Sequence, residues 1–317
     1  MPPCLKQMRR YGHRNDKQIL EEKLKPPLPI RDGVSPSKQY LPAGGWRFML
    51  EFLQQFFPEV DSATWVARMH KGEVVETDGF RIMPDDVYRA GTHIFYYREI
   101  ADETPVPFEE LILFQDEHLL VVDKPHFLPV IPSGRYLHQT LLVRLKKKLQ
   151  LEHLTPIHRL DRETAGVILF SLDPASRGDY QSLFHQREMN KVYEALAAPL
   201  PSRQFPLVCR SRMVTGEPFF RMREVCGEPN AETHIEVLEN RGNVTLYKLR
   251  PVTGKKHQLR VHMTALGIPI INDRFYPELL SERADDFSQP LQLLARSISF
   301  KDPYTGRERF FESGRVL

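Results

Sequence analysis

The sequence contains few cysteines and no long apolar segment. Its 317 residues include three cysteines, Cys4, Cys209 and Cys226, which stand far apart along the chain. Cysteines this few and scattered supply neither a disulfide framework nor the ligand set of a zinc site, so a reducing compartment is expected. The N-terminal residues lack the apolar core of a signal peptide, and no later stretch is long enough to span a bilayer. These absences predict a cytoplasmic protein.

A strong excess of charge of one sign is also missing. The formal net charge is +3, from 44 Lys and Arg against 41 Asp and Glu. A mildly basic chain permits a polyanionic partner without requiring one. The hydrophobic content of 41% over 317 residues is enough for a full core, and the length favours two folded domains.

Composition divides the chain into three segments. Residues 1–45 are rich in proline, lysine and arginine, so we expect a basic extension that builds no core of its own. Residues 46–100 show two helical patterns followed by short strands, an order that resembles the ribosomal S-four-type RNA-binding module. Acidic residues outnumber Lys and Arg here, whereas an RNA-binding face normally has a surplus of cations, so we interpret it as a degenerate version. Residues 101–317, which begin with a proline-containing linker, predict one longer α+β domain.

The turn around Asp161 is the most informative feature of the longer domain. Asp161 lies between Arg159 and Arg162, directly before the apolar run 167–170. A carboxylate beside cations stays ionised at neutral pH, and the apolar run predicts a buried strand. A charged turn attached to a buried strand can present a reactive group rigidly. A structural Asp–Arg pair that caps the strand would produce the same pattern, so this segment alone leaves both readings open.

Three further stretches contain candidate functional side chains. Lys124 ends an apolar strand, and Lys191 and Tyr193 stand at the start of another. A glycine turn then leads into a predicted helix on which His257 and Arg260 share one face, so that Arg260 can point toward a carboxylate against which the helix packs. Each of these residues also has an ordinary structural explanation when it is considered singly.

Taken together and in this order, the stretches resemble the RluA-type pseudouridine synthases. The resemblance starts near Leu111 and continues almost to the C-terminus. The most specific part is the segment that contains Asp161. The matching motifs are Phe114-x-Asp116-Glu117-x-Leu119-Leu120-Val121-Val122-x-Lys124-Pro125, His158-Arg159-Leu160-Asp161-x-x-Thr164-x-Gly166, Lys191-x-Tyr193, and Pro251-x-Thr253-Gly254-x-x-His257-Gln258-x-Arg260-x-His262.

The resemblance implies both a fold and a reaction. The implied fold class is α+β, with a mixed, largely antiparallel sheet of pseudouridine synthase type in the catalytic domain. The implied enzyme is an isomerase that converts specific uridines of structured RNA to pseudouridine. The reaction is neither a redox change nor a hydrolysis, so no metal or organic cofactor is expected. The expected partner is RNA with a flipped-out uridine, ribosomal RNA being favoured over transfer RNA, and the protein is expected to be a monomer.

The resemblance also implies roles for individual residues. Asp161 would be the catalytic nucleophile or base, and Arg260 would hold it ionised and oriented. Tyr193 would stack on the base and take part in removal of the C5 proton. Arg159 would occupy the space that the flipped uridine leaves. The full set of expected substrate-binding residues is Arg159, His158, Lys124, Lys191, His257 and Lys255.

The chain departs from the family pattern at several positions. Ala165 stands where serine is commoner, and Lys255 replaces an arginine. Residues 272–276 read Asn-Asp-Arg-Phe-Tyr, a variant of the usual Gly-Asp-x-x-Tyr-Gly. These changes bear on substrate contacts more than on chemistry, because Asp161, Tyr193 and Arg260 are all present.

Two other readings compete with a pseudouridine synthase. A hydrolase or metalloenzyme would use His153, His158 and Asp161 as ligands, but Pro156 breaks any helix that could align them. A non-catalytic RNA-binding relative would retain the fold without the reaction. Retention of the carboxylate, the tyrosine and the arginine argues against it.

Overall fold

Residues 26–100, 102–280 and 286–317 are described by the structure, which is a computed structural model. The chain forms two units, Met1–Ala101 and Asp102–Leu317. Most of the expected basic extension, residues 1–25 with Cys4, lies outside the described residues.

The N-terminal unit contains two helices and a small antiparallel sheet. Its elements are β1 (Ser37–Tyr40), α1 (Met49–Phe56), α2 (Ser62–His70), β2 (Val74–Glu76) and β3 (His93–Tyr96). The strands are arranged in the order β1-β3-β2. Phe52 and Leu53 of α1 pack against Trp65 and Met69 of α2 in a buried cluster. Helices α1 and α2 are followed by β2 and β3, in the order that the sequence pattern indicates, and β1 precedes both helices.

The structure differs from the sequence-based expectation at the start of this unit. Residues 37–40, placed by composition in the extension, form β1 and pair with β3. Leu41, directly after β1, is fully buried in the core of the unit. A polar stretch can join a sheet in this way because strand pairing uses backbone groups, which composition does not reveal. Residues 80–82 contribute a single bridge, between Arg81 and Val75.

The larger unit is built on one long sheet. Among the described residues this sheet has 11 strands, and β10-β9-β11-β12-β8-β13-β7-β5-β4 is its main path, with β14 beside β13 and β6 beside β7. The β7–β13 pair is parallel and the other described pairs are antiparallel. The prediction of an α+β fold with a mixed, largely antiparallel sheet is thus confirmed. The elements are β4 (Leu111–Gln115), β5 (Leu119–Lys124), α3 (Leu141–Leu149), β6 (Thr155–Pro156), β7 (Ala165–Ser171), α4 (Arg177–His185), β8 (Asn190–Ala197), β9 (Leu207–Thr215), β10 (Met222–Val225), β11 (Ala231–Asn240), β12 (Thr245–Pro251), α5 (Gln258–Ala265), β13 (Leu293–Lys301) and β14 (Glu308–Glu312).

Strand β7 lies inside this sheet, between β13 and β5, and all seven of its residues are buried. Its side chains alternate between the two faces, as a period of two requires. Ile168 and Phe170 join one apolar cluster, and Val167 and Leu169 join another on the opposite face. Because both faces are covered, the strand is apolar at every position from 167 to 170, which explains why its sequence shows no polar alternation.

The turn before β7 is held close to β13 by a glycine. Gly166 faces Ala295 in the parallel pair and has a φ of +111°. A Cβ atom at Gly166 would lie 2.2 Å from the carbonyl oxygen of Ala295. The turn itself is closed by the Thr164 amide, which donates to the Asp161 carbonyl at 3.2 Å. Glycine therefore allows the backbone approach that places the Asp161 turn at the edge of β13.

Within the described ranges, no helix is both long enough and apolar enough to cross a membrane.

We expect Gly166→Ala to lower the free energy of unfolding by more than about 2 kcal/mol, because alanine brings both a strained φ and a clash with backbone. Gly178→Ala in α4 is the matched control, since a Cβ there meets nothing within 4 Å. That helical substitution should be neutral or stabilise by about 0.5–1 kcal/mol. Denaturant titration followed by circular dichroism measures both. Equal stability of the two variants would show that close packing at Gly166 is not required.

Candidate active site

A cleft of about 1010 Å³ opens in the larger unit where β7 and β8 begin and where β12 ends. It gathers residues that are far apart in the sequence, because β8 pairs with both β12 and β13 and β13 in turn pairs with β7. All three predicted catalytic residues line it, together with five of the six predicted substrate-binding residues. The predicted residues on its wall are Asp161, Tyr193, Arg260, His158, Arg159, Lys191, Lys255 and His257.

Asp161 and Arg260 form an ion pair in this cleft. Nη1 of Arg260 donates to Oδ2 of Asp161 at 3.2 Å. The Asp161 side chain keeps 29% of its surface exposed, whereas that of Arg260 keeps 1%. Helix α5 therefore presents its arginine to the carboxylate, the arrangement that the helical spacing allows.

Neighbouring positive charge keeps Asp161 ionised. Burial by itself raises the pKa of this carboxyl, but the charges of His257 when it is protonated, of Arg260 and of Lys124 lower the pKa below its ordinary value. Burial lowers the pKa of His257 to about 4, so that ring is neutral at neutral pH. The Arg260 guanidinium, which stays protonated at all working pH values, is therefore the dominant stabilising cation.

Arg260 is itself fixed by Asp273, which the sequence analysis did not select. Nε and Nη2 of Arg260 donate to the two carboxylate oxygens of Asp273 at 2.7 and 2.6 Å. Asp273 also accepts the backbone amides of Phe275 and Tyr276, at 2.9 and 3.2 Å. The fork-shaped pair fixes the plane of the guanidinium and leaves Nη1 for Asp161. The one sequence feature that could have pointed to Asp273 was its place as the acidic residue of the variant segment 272–276.

Tyr193 lines the cleft from the start of β8, opposite Leu249 of β12. Burial and the negative charge of Asp161 raise the pKa of its hydroxyl well above the ordinary value. The hydroxyl is therefore protonated at neutral pH. It can donate a hydrogen bond or pass on a proton, but it does not rest as a tyrosinate base.

His158 lines the cleft but has a structural task. Its Nε2 accepts the backbone amide of Leu169 at 3.2 Å, and its ring packs on Phe184 with centroids 4.7 Å apart. The ring thus accepts the Leu169 amide of β7, which lies outside the two-residue pairing of β6 with β7. Burial, together with the charge of Lys191, lowers the pKa of His158 to about 3. A neutral ring that already accepts a backbone bond does not serve as the expected polar substrate contact.

The structure corrects the expected role of Lys124. This side chain is fully buried, and its Nζ donates to the carbonyls of Pro125, Leu128 and Arg162 at 2.9, 2.8 and 3.1 Å. All three ammonium hydrogens are used inside the protein, so Lys124 cannot bind substrate. Nδ1 of His126 likewise contacts the Glu163 carbonyl at 2.7 Å. The end of β5 and the loop after it therefore support the Asp161 turn with two donors.

The remaining predicted residues present cationic side chains to the cleft. Arg159 and Lys255 are exposed, and Lys191 is partly buried at the start of β8. Burial lowers the pKa of Lys191. Lys256 and Arg187 are exposed on the same wall. The cleft thus combines the Asp161–Arg260 ion pair with a cationic rim, which suits a polyanion that carries a reacting group inward.

The metalloenzyme reading has no matching geometry in the described part of the chain. No group of three or more His, Cys, Asp or Glu side chains is placed there to hold a metal ion. Nε2 of His158 already accepts the Leu169 amide, so that nitrogen does not serve as a metal ligand.

Comparison with known proteins identifies relatives along the larger unit. The model of the RNA pseudouridylate synthase family matches residues 118–265. The dual-specificity RNA pseudouridine synthase RluA of Salmonella typhimurium is 36% identical over 214 residues, which cover 64% of this chain and 91% of that protein. An uncharacterized RNA pseudouridine synthase of Synechocystis is 29% identical over 234 residues, covering 72% and 79%. Mouse pseudouridylate synthase RPUSD2 is 32% identical over 234 residues, covering 72% of this chain and 40% of that protein.

Solved structures show the same fold. Human RNA pseudouridylate synthase domain containing 4 superposes with a TM-score of 0.51 at 29% identity, covering 63% of this chain and 87% of that one. Human RNA pseudouridylate synthase domain containing 1 gives a TM-score of 0.53 at 24% identity, covering 65% and 84%. The second likeness concerns the fold alone.

The buried histidines make stability depend on pH. Burial lowers the pKa of His158 to about 3, and that of His126, His257 and His262 to about 4. An unfolded histidine titrates near 6.5, so the unfolded chain binds more protons than the native chain between about pH 6.5 and 4. Each ring therefore lowers the free energy of unfolding by at most about 1.4 kcal/mol per pH unit as the pH falls through that window.

Denaturant titrations at pH 7 and pH 5 measure this effect. The wild-type protein should be clearly less stable at pH 5. His158→Gln, whose side-chain oxygen can still accept the Leu169 amide, should show a shallower loss. A free energy of unfolding that is the same at both pH values would contradict the expectation.

Proposed function

Because the chain belongs to the RluA-type RNA pseudouridine synthase family, which catalyses the isomerisation of uridine to pseudouridine, we propose that it modifies specific uridines of structured RNA with Asp161 as the reacting carboxylate. The family membership confirms the resemblance on which the sequence analysis relied. The observation that carries the assignment of Asp161 is its ion pair with Arg260 inside the cleft.

The reaction breaks the N1–C1′ bond of uridine and joins C1′ to C5 of the same base. A negatively charged oxygen at the junction of sugar and base can attack the nucleotide or remove a proton from it. Asp161 is ionised, partly exposed and held by a guanidinium that cannot lose its proton, which supports this role. The reaction gains and loses no atoms overall, since the C5 proton leaves and N1 takes one up.

Tyr193 is proposed to contact the flipped base. It lines the same cleft as Asp161, close enough for the aspartate charge to raise the pKa of its hydroxyl. The aromatic face can stack on uracil, and the protonated hydroxyl can relay the C5 proton to another acceptor.

The cationic rim is proposed to bind the phosphates around the target uridine. Arg159 is exposed two residues before Asp161, so its side chain can fill the gap that the flipped nucleotide leaves in the RNA. Lys255 and Lys191 line the same cleft. Affinity for RNA should therefore fall steeply as the salt concentration rises.

Ribosomal RNA is the proposed target, with transfer RNA as the alternative. The N-terminal unit supports this choice because α1 and α2 are followed by the short strands β2 and β3, the order of the ribosomal S-four-type module that it resembles. Acidic residues outnumber Lys and Arg within residues 46–100 of this unit, so most phosphate contacts are assigned to the catalytic cleft.

Asp161→Asn should abolish isomerisation, lowering the rate by a factor on the order of a thousand or more, because the amide keeps the shape but loses the nucleophilic charge. Folding and RNA affinity should change little. The measurement is pseudouridine formation in unmodified ribosomal and transfer RNA transcripts, with RNA binding measured in parallel. Asp179→Asn, an exposed aspartate of α4, is the matched control and should behave as wild type.

Two results would count against this assignment. Substantial turnover by Asp161→Asn would remove Asp161 from the chemistry. A wild-type protein that binds these transcripts and forms no pseudouridine would favour the non-catalytic relative instead.

The RNA target is tested by mapping pseudouridines in total RNA from cells with and without this protein. We expect at least one ribosomal RNA site to disappear with the protein and to return with the wild-type gene, but not with Asp161→Asn. Loss confined to transfer RNA would overturn the choice of ribosomal RNA and leave the reaction itself intact.

A further inference from the structure

We propose that Tyr276 and His257 form a positioning pair that holds one oxygen of the Asp161 carboxylate and leaves the other for the substrate. The proposal rests on the proposed function in one respect, namely that Asp161 is the reacting group. It changes the role of His257, which the sequence analysis expected to bind substrate, and it adds Tyr276, to which no role was assigned.

The hydrogen bonds of Tyr276 determine which nitrogen of His257 carries the proton. The Tyr276 hydroxyl oxygen accepts the backbone amide of Met222 at 2.8 Å and lies 2.9 Å from Nδ1 of His257. A hydroxyl has one hydrogen and two lone pairs; the Met222 amide uses one lone pair, and we assign the hydrogen to Nδ1 because Nδ1 is the one acceptor that the described residues place within hydrogen-bonding distance of this hydroxyl. Nδ1 is then the acceptor, so the proton of the neutral ring resides on Nε2.

The protonated Nε2 faces Asp161. It lies 3.8 Å from Oδ2, the same oxygen that Arg260 contacts at 3.2 Å. With the opposite tautomer, a nitrogen lone pair would point at the carboxylate and repel it. In the part of the chain that the structure describes, both polar contacts of the carboxylate are made to Oδ2. Oδ1 is therefore the oxygen that can turn to the nucleotide.

The local backbone and packing keep the pair in place. His257 adopts a left-handed conformation with φ of +54° and caps the start of α5, where its carbonyl accepts the Val261 amide at 3.0 Å. His257 and Tyr276 are only 8% and 5% exposed. Their rings contact edge to face with centroids 5.7 Å apart. Such buried side chains act on substrate through Asp161 rather than by direct contact.

The β9–β10 hairpin holds Tyr276 from the other side. Met222, the first residue of β10, supplies the amide that Tyr276 accepts. The guanidinium of Arg221 donates to the Pro277 carbonyl at 2.7 Å and lies over the Tyr276 ring at 5.0 Å. The tautomer of His257 is thus set by a strand edge that the sequence gives no reason to connect with Asp161.

The first test measures the tautomer directly. In full-length protein labelled with ¹⁵N-histidine, with no RNA present, the signals of His257 are assigned by their loss in His257→Gln. We expect Nε2 to carry the proton in the wild type, and Tyr276→Phe to shift the ring toward the Nδ1-protonated form. A wild-type ring protonated on Nδ1 would overturn the proposal.

The second test separates positioning from a structural role. Tyr276→Phe should lower kcat on the transcript modified by wild type by roughly three- to tenfold, the size of one lost hydrogen bond, and change KM less than about twofold. Tyr247→Phe is the matched control, because Tyr247 is buried and its hydroxyl donates to the Ala198 carbonyl outside the cleft. It should lose comparable stability and retain wild-type kcat.

His257 variants complete the comparison. His257→Gln keeps an N–H donor near Asp161 and should retain more kcat than His257→Leu, which keeps none. Equal kcat in Tyr276→Phe and Tyr247→Phe, or a rise in KM alone, would overturn the positioning role. If Asp161→Asn also remains active, the proposed function fails as well; if Asp161→Asn is inactive, only the present inference fails. The tautomer measurement does not depend on activity at all.

Discussion

The site depends on a single buried guanidinium shared between two carboxylates. Arg260 is almost completely enclosed, and a buried cation is tolerated only when its charge and its N–H groups are satisfied. Asp273 takes two of its donors and fixes the plane of the group, and Asp161 takes a third. Arg260 can therefore stabilise the charge of Asp161 without moving when substrate arrives, which is the kind of preorganisation that electrostatic catalysis requires.

The backbone beneath Asp161 is as constrained as the side chains around it. Gly166 lets β7 approach Ala295, and Lys124 and His126 donate to the carbonyls of the turn. Lys124 is the last residue of β5, the neighbour of β7 in the sheet, and His126 lies in the loop that follows it. The turn is thus attached to a buried strand on one side and to a hydrogen-bonded loop on the other. This rigidity explains why the Asp161 carboxylate can stand on a short turn and still keep a defined orientation.

Some of this arrangement was predictable and some was not. The apolar run from 167 to 170 predicted a buried strand, and the helical spacing of His257 and Arg260 predicted a shared face. Lys124 was misassigned, because a lysine at the end of a strand has the same sequence signature whether its ammonium faces water or three carbonyls. Asp273 and Tyr276 were seen only as part of a variant segment, since their partners Arg260, His257 and Met222 are reached through tertiary packing.

The sequence by itself determined the family, the reaction class and the α+β fold, because ordered motifs, strand periodicity and local charge are properties of neighbouring residues. Only the tertiary structure decided which charges meet. The pairing of β8 with β12 and β13, and of β13 with β7, brings Asp161 to an arginine that follows it by 99 positions. The same packing buries the Lys124 side chain and brings Nδ1 of His257 to the Tyr276 hydroxyl. Hydrogen bonds between distant residues depend on angles and on distances of about 3 Å, and these exist only once the sheet has closed.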